Sequence, residues 1–203
     1  MRKQNTENKL SDPETWVDKY ADYLYSFAMT RVRDNNIAED LVQETFLAAI
    51  KSRNSYAGHS TEKTWLVGIL KNKIIDHFRK SQREVNVEDI EAGYPREDDD
   101  FEITGNKSGR WKVNKRPADW MIDSADPAEI GEFWEFLRFC LSEIPKQIAD
   151  IFVLREIDGL DSEEICNKIN IKPTNLRVML YRARKQIRRC LEVNWINKDK
   201  QIN

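Results

Sequence analysis

The chain has 203 residues, 40% of them hydrophobic and 33% charged, and its formal net charge is −2. This length has room for one or two small domains, and the lack of any run of about 18 apolar residues excludes a membrane-spanning helix. The polar start, Met1–Lys9, predicts that no signal peptide is present, which is typical of a cytoplasmic protein. The cysteines, Cys140, Cys166 and Cys190, lack the spacing of metal ligands, so we expect reduced side chains buried in helices.

The first part of the chain, residues 12–83, has the apolar spacing of a small helical bundle. A first helix is predicted over Trp16–Arg31, and Asp34–Asn36 interrupts it and can cap the next helix. We expect this second helix to run from Ile37 with one side in the core. The predicted core side consists of Ala38, Val42, Thr45, Phe46, Ala49 and Ile50. The opposite side consists of Asp40, Gln43, Glu44 and Leu47. A leucine framed by polar groups is either a partner-binding surface or an ordinary solvated face, and the pattern leaves both open.

A polar loop, Ser52–Lys63, leads into a third predicted helix that begins near Thr61 or Thr64. Its buried side is predicted from apolar residues spaced by four: Leu66, Leu70, Ile74 and Phe78. The loop and the helix's other sides carry aromatic, polar and basic residues: Tyr56, His59, Lys63, Trp65, Asn72, Asp76, Arg79 and Lys80. Aromatic rings beside cations suit single-stranded nucleic acid, whose bases stack on rings while its phosphates meet cations. The alternative is that Trp65 is a core residue with no role in binding.

The middle of the chain, residues 84–126, changes in character. Residues 84–102 contain nine acids and one base, and glycines and prolines interrupt the whole segment, so we predict an acidic linker. Trp111 and Trp120 indicate that part of this linker docks on the rest of the protein. The Asp98–Asp100 run has the charge to attract Mg²⁺, but in such a segment we expect solvated carboxylates and no metal site.

The last part, residues 127–195, contains the most informative pattern. Asp161–Ile169 predicts a short helix with acids in its first turn, and Asn170–Thr174 predicts a tight turn in which Pro173 starts a new helix. The segment 172–189 carries seven Lys or Arg residues and no acid. Its predicted inner side is Leu176, Leu180, Ala183, Ile187 and Leu191. Its predicted outer side is Arg177, Tyr181, Arg182, Arg184, Lys185, Arg188 and Arg189. Helix, turn and basic helix predict a helix-turn-helix, whose second helix enters the major groove of DNA.

The predicted fold is therefore all-α, with two small helical domains, 12–83 and 127–195, joined by the acidic linker 84–126, and with the helix-turn-helix in the second domain. A DNA-processing enzyme would need a clustered nucleophile or metal-binding carboxylates. His59 and His77 are the two histidines, and no convincing set surrounds them. We therefore expect no catalytic residues, no metal and no cofactor. A DNA-binding regulator remains open at this point.

Several segments, taken together, resemble the extracytoplasmic-function sigma factors, the smallest sigma-70-type subunits of bacterial RNA polymerase. Ala38–Phe46 resembles the helix that binds core polymerase, and Tyr56–Lys80 resembles the region that reads and melts the −10 element. The segments that resemble the −35-reading domain are Leu141–Gln147, Phe152–Leu160 and Leu180–Lys185. Together these segments cover the chain apart from the linker and the tails, and their order and spacing support the resemblance.

The resemblance implies roles for the ambiguous surfaces. Asp40, Gln43, Glu44 and Leu47 would bind the clamp helices of the polymerase β′ subunit, with the β subunit as a further partner. The loop Ser52–Lys63 would capture a flipped non-template base, and the residues implied for −10 DNA are Tyr56, His59, Lys63, Trp65, Asn72, Asp76, Arg79 and Lys80. Those for −35 DNA are Thr174, Asn175, Arg177, Val178, Tyr181, Arg182, Arg184 and Lys185. An anti-sigma factor is a further expected partner.

Two departures from the family pattern limit what the resemblance implies. Asn170 stands where the family usually has glycine in the turn, and Val178 and Met179 replace polar positions of the recognition helix. The −35 sequence therefore cannot be transferred from relatives. A methyl contact from Val178 to thymine and a contact from Arg177 or Arg182 to guanine or phosphate are the interactions that the chemistry allows. The alternative function is a helix-turn-helix regulator that never engages polymerase.

Overall fold

The computed structural model describes residues 9–83 and 127–196, and these residues form helices joined by short connections, with no strand among them. The α-helices are α1 (Trp16–Val32), α2 (Asn35–Ser52), α3 (Glu62–Arg83), α4 (Pro127–Ser142), α5 (Lys146–Phe152), α6 (Ser162–Ile169) and α7 (Pro173–Leu191). Single turns of 3-10 helix occupy Pro13–Thr15 and Arg53–Ser55, and π-helical turns occupy Val153–Ile157 and Glu192–Ile196. The expected all-α fold is confirmed. The predicted acidic linker, 84–126, with Trp111, Trp120 and Asp98–Asp100, lies outside the described residues.

The chain divides into two compact units, Met1–Arg79 and Lys80–Asn203. In the first unit, a sharp corner joins α1 to α2. Arg33 adopts the left-handed conformation, with a φ of 58°, and its N–H donates to the carbonyl oxygen of Met29 at 3.1 Å. The Asp34 side chain then accepts from the Ile37 N–H at 3.0 Å, which caps α2. The predicted interruption is confirmed, and α2 begins at Asn35, two residues before the expected start.

The core of the first unit lies between the buried sides of its three helices. The fully or almost fully buried residues include Trp16, Leu24, Ala28, Ala38, Ala49, Leu66, Leu70, Ile74 and Phe78. All four apolar residues predicted for α3 are therefore in the core, each contributing about 1.5–3 kcal/mol if its side chain is fully removed from water. Thr45 is also buried as expected, and its hydroxyl donates to the carbonyl oxygen of Leu41 at 2.7 Å, so that this buried hydroxyl has a partner.

In the second unit, α7 packs against α4, α5 and α6. A capping box starts α6: the Asp161 carboxylate accepts from the Glu164 N–H, and the Glu164 carboxylate accepts from the Asp161 N–H. Asn170 ends α6 with a φ of 63°, and Pro173 occupies the first turn of α7. The local turn chemistry expected from the sequence is confirmed, and asparagine fills the position where the left-handed conformation is required.

Candidate functional site

One exposed face of α2 brings the predicted polymerase-binding residues together. Asp40 and Gln43 are exposed, and Leu47 is 58% exposed although it is a large apolar side chain. Glu44 lies on the same face, and its carboxylate forms an ion pair with Lys73 Nζ at 3.0 Å. The charge of Glu44 is thus partly neutralised within the unit, whereas Asp40 and Gln43 present their polar groups to solvent.

Ile50 corrects the sequence prediction, which placed it in the core. Its side chain is 45% exposed in the structure. The reason is the helical period: Ile50 follows Gln43 by seven residues and Leu47 by three, so it falls on their face of α2. The same spacing could have identified it from sequence. Leu47 and Ile50 consequently make an apolar patch on the outer face of this helix.

The loop before α3 is built around three aromatic rings. Trp65 lies with its ring centroid 5.1 Å from that of Tyr56 and 6.0 Å from that of the buried Trp16. The Tyr56 hydroxyl donates to the carbonyl oxygen of Ser60, which closes the loop on itself. Trp65 is half-buried, so it packs on the core through Trp16 and also borders the loop, and its role in DNA binding stays a prediction. His59 stands exposed at the tip of the loop.

The remaining predicted −10 residues follow along α3. Lys63 is exposed, and its Nζ lies 3.4 Å from the centroid of the Tyr23 ring. Asn72 and Lys80 are exposed, whereas Asp76 and Arg79 form an ion pair with each other at 2.7 Å. Asn72 and Lys80 therefore face solvent on α3, and the opposite charges of Asp76 and Arg79 are held against each other.

A carboxylate that sequence reasoning missed lies at the start of α3. Burial acts to raise the pKa of Glu62, but hydrogen bonds from Tyr20, Ser11 and Trp16 outweigh it and hold this pKa below its ordinary value. The hydrogen bond that the Tyr20 hydroxyl donates to Glu62 raises the pKa of Tyr20, and burial and the negative charge of Glu62 raise it further. Glu62 is therefore ionised at neutral pH, and its charge is directed at protein donors. No sequence signal marks it, because its partners come from a distant segment.

The outer surface of α7 places several predicted −35 residues side by side. Thr174, Arg177 and Val178 are exposed in the first two turns of the helix, and Asn175 is half-buried next to them. Val178 is 38% exposed. In a helix-turn-helix the N-terminal residues of the second helix contact base edges, so these side chains have the position and chemistry for that contact. Farther along, Tyr181 is half-buried and Lys185 is exposed.

The prediction that Arg182 lies on the outer face of α7 is wrong, because this residue is only 8% exposed. Met179, one turn earlier, is 3% exposed, so the buried stripe of α7 is wider than predicted and Arg182 borders it. The long aliphatic part of an arginine can cover the edge of a core in this way. Arg184 is also engaged: its guanidinium pairs with the Glu156 carboxylate at 2.6 Å. These two arginines are thus less accessible than Arg177.

The cysteines also correct a prediction. Cys140 on α4 and Cys190 on α7 form a disulfide, with their Cα atoms 5.7 Å apart, whereas reduced side chains were expected. Their helices pack against each other, and this contact, which links residues 50 positions apart, cannot be read from spacing alone. Cys166 remains a free thiol, and burial raises its pKa.

Within residues 9–83 and 127–196, no group of three or more His, Cys, Asp or Glu side chains is arranged to hold a metal ion. Among the helices of the same residues, none combines the length and the apolar character needed to cross a membrane.

Comparisons with known proteins place both units in one family. Residues 16–84 match sigma-70 region 2, and residues 137–187 match sigma-70 region 4. A probable RNA polymerase sigma factor of Haemophilus influenzae is 36% identical over 188 residues, which is 91% of each chain. The extracytoplasmic-function sigma factor SigM of Bacillus subtilis is 28% identical over 171 residues, which is 83% of this chain and 88% of SigM.

Among solved structures, the sigma factor RpoE from Bartonella quintana, in complex with the anti-sigma factor NepR, is 22% identical with a TM-score of 0.41 and covers 91% of this chain and 99% of its own. The sequence matches to sigma-70 regions 2 and 4 fall in both units. The chain belongs to the extracytoplasmic-function group of the sigma-70 family, and it is a promoter-specific sigma factor of RNA polymerase.

Proposed function

We propose that three exposed surfaces of the protein each make one of the contacts needed for promoter recognition. The outer face of α2, with Asp40, Gln43 and Leu47, binds the β′ clamp helices of core polymerase. The loop before α3 and the exposed side of that helix hold the opened −10 strand. The first turns of α7 read the −35 duplex. The observation that supports this proposal is exposure: in each matched region, several of the named residues lie exposed on the same side of their own helix, where a partner can reach them.

We infer that residues 12–83 and 127–195 act as the −10 and −35 modules, with residues 84–126 as the connection between them. The protein has no catalytic residues of its own, needs no cofactor, and works in the cytoplasm, where polymerase meets the chromosome. The family resemblance also supports the β subunit and an anti-sigma factor as partners.

Reconstituted transcription tests the proposal as a whole. The protein is mixed with core polymerase and a pool of genomic promoter fragments, and start sites are mapped by sequencing. We expect a defined set of transcripts that share elements near −35 and −10. If the protein binds duplex DNA but does not co-purify with core polymerase and directs no start sites, the alternative function, a regulator that works without polymerase contact, is correct.

Arg177 is the side chain of α7 best placed to read a base. We expect Arg177→Ala to weaken binding to the −35 duplex by about 1–3 kcal/mol and to relax the preference at one base pair. Fluorescence anisotropy on a set of singly substituted −35 duplexes measures both effects. Arg138→Ala, which removes an exposed arginine from α4, is the matched control and should leave the affinity unchanged. Equal affinity of wild type and Arg177→Ala would contradict the role given to α7.

Asn72 is expected to act on the opened strand. Because unstacking a base costs a few kcal/mol, a residue that helps to hold the unstacked base should matter most when the duplex must still be opened. We therefore expect Asn72→Ala to slow open-complex formation on a fully matched promoter. Permanganate reactivity of unpaired thymines follows the opening.

The template decides between two roles for Asn72. A defect that shrinks on DNA already mismatched at −10 indicates help in melting, whereas a defect that persists indicates reading of a base. Opening of the matched promoter at the wild-type rate would show that this part of α3 has no direct role.

A further inference from the structure

Four hydrogen bonds converge on the Glu62 carboxylate. Its Oε1 accepts from the backbone N–H of Ser11 at 2.6 Å and from Nε1 of Trp16 at 2.9 Å. Its Oε2 accepts from the hydroxyls of Ser11 at 2.9 Å and Tyr20 at 2.7 Å. An ionised carboxylate has about four acceptor sites, so this set nearly saturates it. The segment Ser11–Tyr20 is thereby fastened to the first turn of α3.

The same carboxylate is linked to the loop through aromatic contacts. Trp16, whose indole N–H is held by Glu62, is 1% exposed and contacts Trp65 edge to face. Trp65 in turn contacts Tyr56, whose hydroxyl closes the loop onto Ser60. Each ring therefore limits the orientation of the next, because packed aromatic pairs have preferred geometries.

The charge of Glu62 makes direct contact with DNA an unsuitable role for it. A carboxylate next to a bound strand would repel the phosphates. This repulsion is reduced for Glu62, because four hydrogen-bond donors compensate its charge. The three residues that supply these donors, Ser11, Trp16 and Tyr20, belong to no predicted contact with polymerase or promoter. The network thus has the properties of a support and not of a contact surface.

We propose that Glu62 is a positioning residue for base capture: it fixes Trp16 and Trp65 as the rear wall of the Tyr56–Lys63 loop and so sets the shape that discriminates the captured base. This inference rests on the proposed role of that loop in −10 recognition. It assigns a function to the N-terminal segment as well, because Ser11 and Tyr20 are linked to the loop through their hydrogen bonds to Glu62.

Base discrimination by the full-length protein bound to core polymerase tests the proposal. The probes are single-stranded −10 oligonucleotides in which each position is changed in turn, and the measured quantity is the ratio of affinities for the best and worst base at each position. For Glu62→Ala we expect the ratio at the captured position to fall by about tenfold, as follows from the loss of charge-assisted hydrogen bonds. Glu62→Gln keeps one acceptor oxygen and should retain an intermediate ratio. Binding to core polymerase and to −35 duplex should not change.

A pair of tyrosine variants keeps the test decisive if Glu62→Ala does not fold. Tyr20→Phe removes only the hydroxyl that donates to Glu62, and we expect it to lower the same ratio by about threefold. Tyr25→Phe is the matched control on α1, because its hydroxyl donates to Asn35 Oδ1 at 3.3 Å and not to Glu62. It should leave the ratio at the wild-type value.

The outcomes separate the two proposals. If the wild-type protein shows no base preference on single-stranded −10 DNA, the role of the loop is wrong, and the role of Glu62 is wrong with it. If the wild type discriminates bases and the folded Glu62→Ala protein does so equally well, only the role of Glu62 is overturned. Equal ratios for Tyr20→Phe and Tyr25→Phe would likewise overturn it.

Discussion

Reduction of the Cys140–Cys190 disulfide is expected to lower the stability of the second unit by about 4 kcal/mol. The bond joins residues 50 positions apart, and closing a loop of that length in the unfolded chain removes conformational entropy of this size in the chain-entropy model. For a small domain the loss corresponds to a drop in melting temperature on the order of 15 °C or more. Calorimetry of the full chain with and without reductant measures it, and the transition of the first unit, which contains no cysteine, serves as an internal reference.

Cysteine variants give the control for this result. A protein with both Cys140→Ser and Cys190→Ser should melt like the reduced wild type and should no longer respond to reductant. Cys166→Ser should respond as the wild type does, because Cys166 is a free thiol. A second unit that melts at the same temperature in oxidised and reduced wild type would contradict the stabilising role of the bond.

Loss of core polymerase binding is expected when the outer face of α2 is altered. In the double variant Asp40→Lys with Gln43→Ala, a lysine replaces an exposed acid and a neighbouring amide is removed, while no buried side chain of the unit is touched. The few dominant residues of an interface contribute about 2 kcal/mol or more each, and the reversed charge adds repulsion, so we expect binding to weaken by more than about 30-fold. Co-purification with core polymerase and circular dichroism of the free protein give the two readouts.

A charge reversal elsewhere controls for the change in net charge. Asp18 is exposed on a different helix, in the first turn of α1, so Asp18→Lys should bind core polymerase normally. Normal binding by the Asp40 and Gln43 double variant would show that α2 is not the polymerase-binding helix. Substitution of Ile50 by serine should weaken binding as well, because the structure places it on the same face as Leu47.

The elements that the sequence predicted well are those controlled by local chemistry. The turn between α6 and α7 depends on the Asp161 cap, on Asn170 and on Pro173, and each of these acts within a few residues of its own position. The buried side of α3 was predictable for a similar reason, because four large apolar residues repeat at one period.

The features that the sequence did not predict depend on contacts between distant segments. The Glu62 network joins residues that are 42 to 51 positions apart, and a lone glutamate in a first helical turn is otherwise an ordinary dipole-compensating residue. The disulfide depends on the packing of α4 on α7. The prediction that Arg182 lies on the outer side of α7 was wrong for a different reason. Its charge suggested an outer position, but the width of the buried stripe is set by the neighbouring helices.

The ion pairs of α7 change how its basic composition translates into DNA binding. Of the seven basic residues in segment 172–189, Arg184 and Arg188 are paired with glutamates and Arg182 is buried. Counterions are released from DNA only as phosphates are neutralised, with a slope of about −0.9 in log affinity against log salt for each phosphate. Four cations of this segment are exposed, and three of them are left for phosphates if Arg177 reads a base, so we expect a slope of about −3, whereas all seven would give about −6. We therefore expect the proposed −35 contact of this helix to be less sensitive to ionic strength than its composition suggests, so that discrimination between promoters depends more on base contacts.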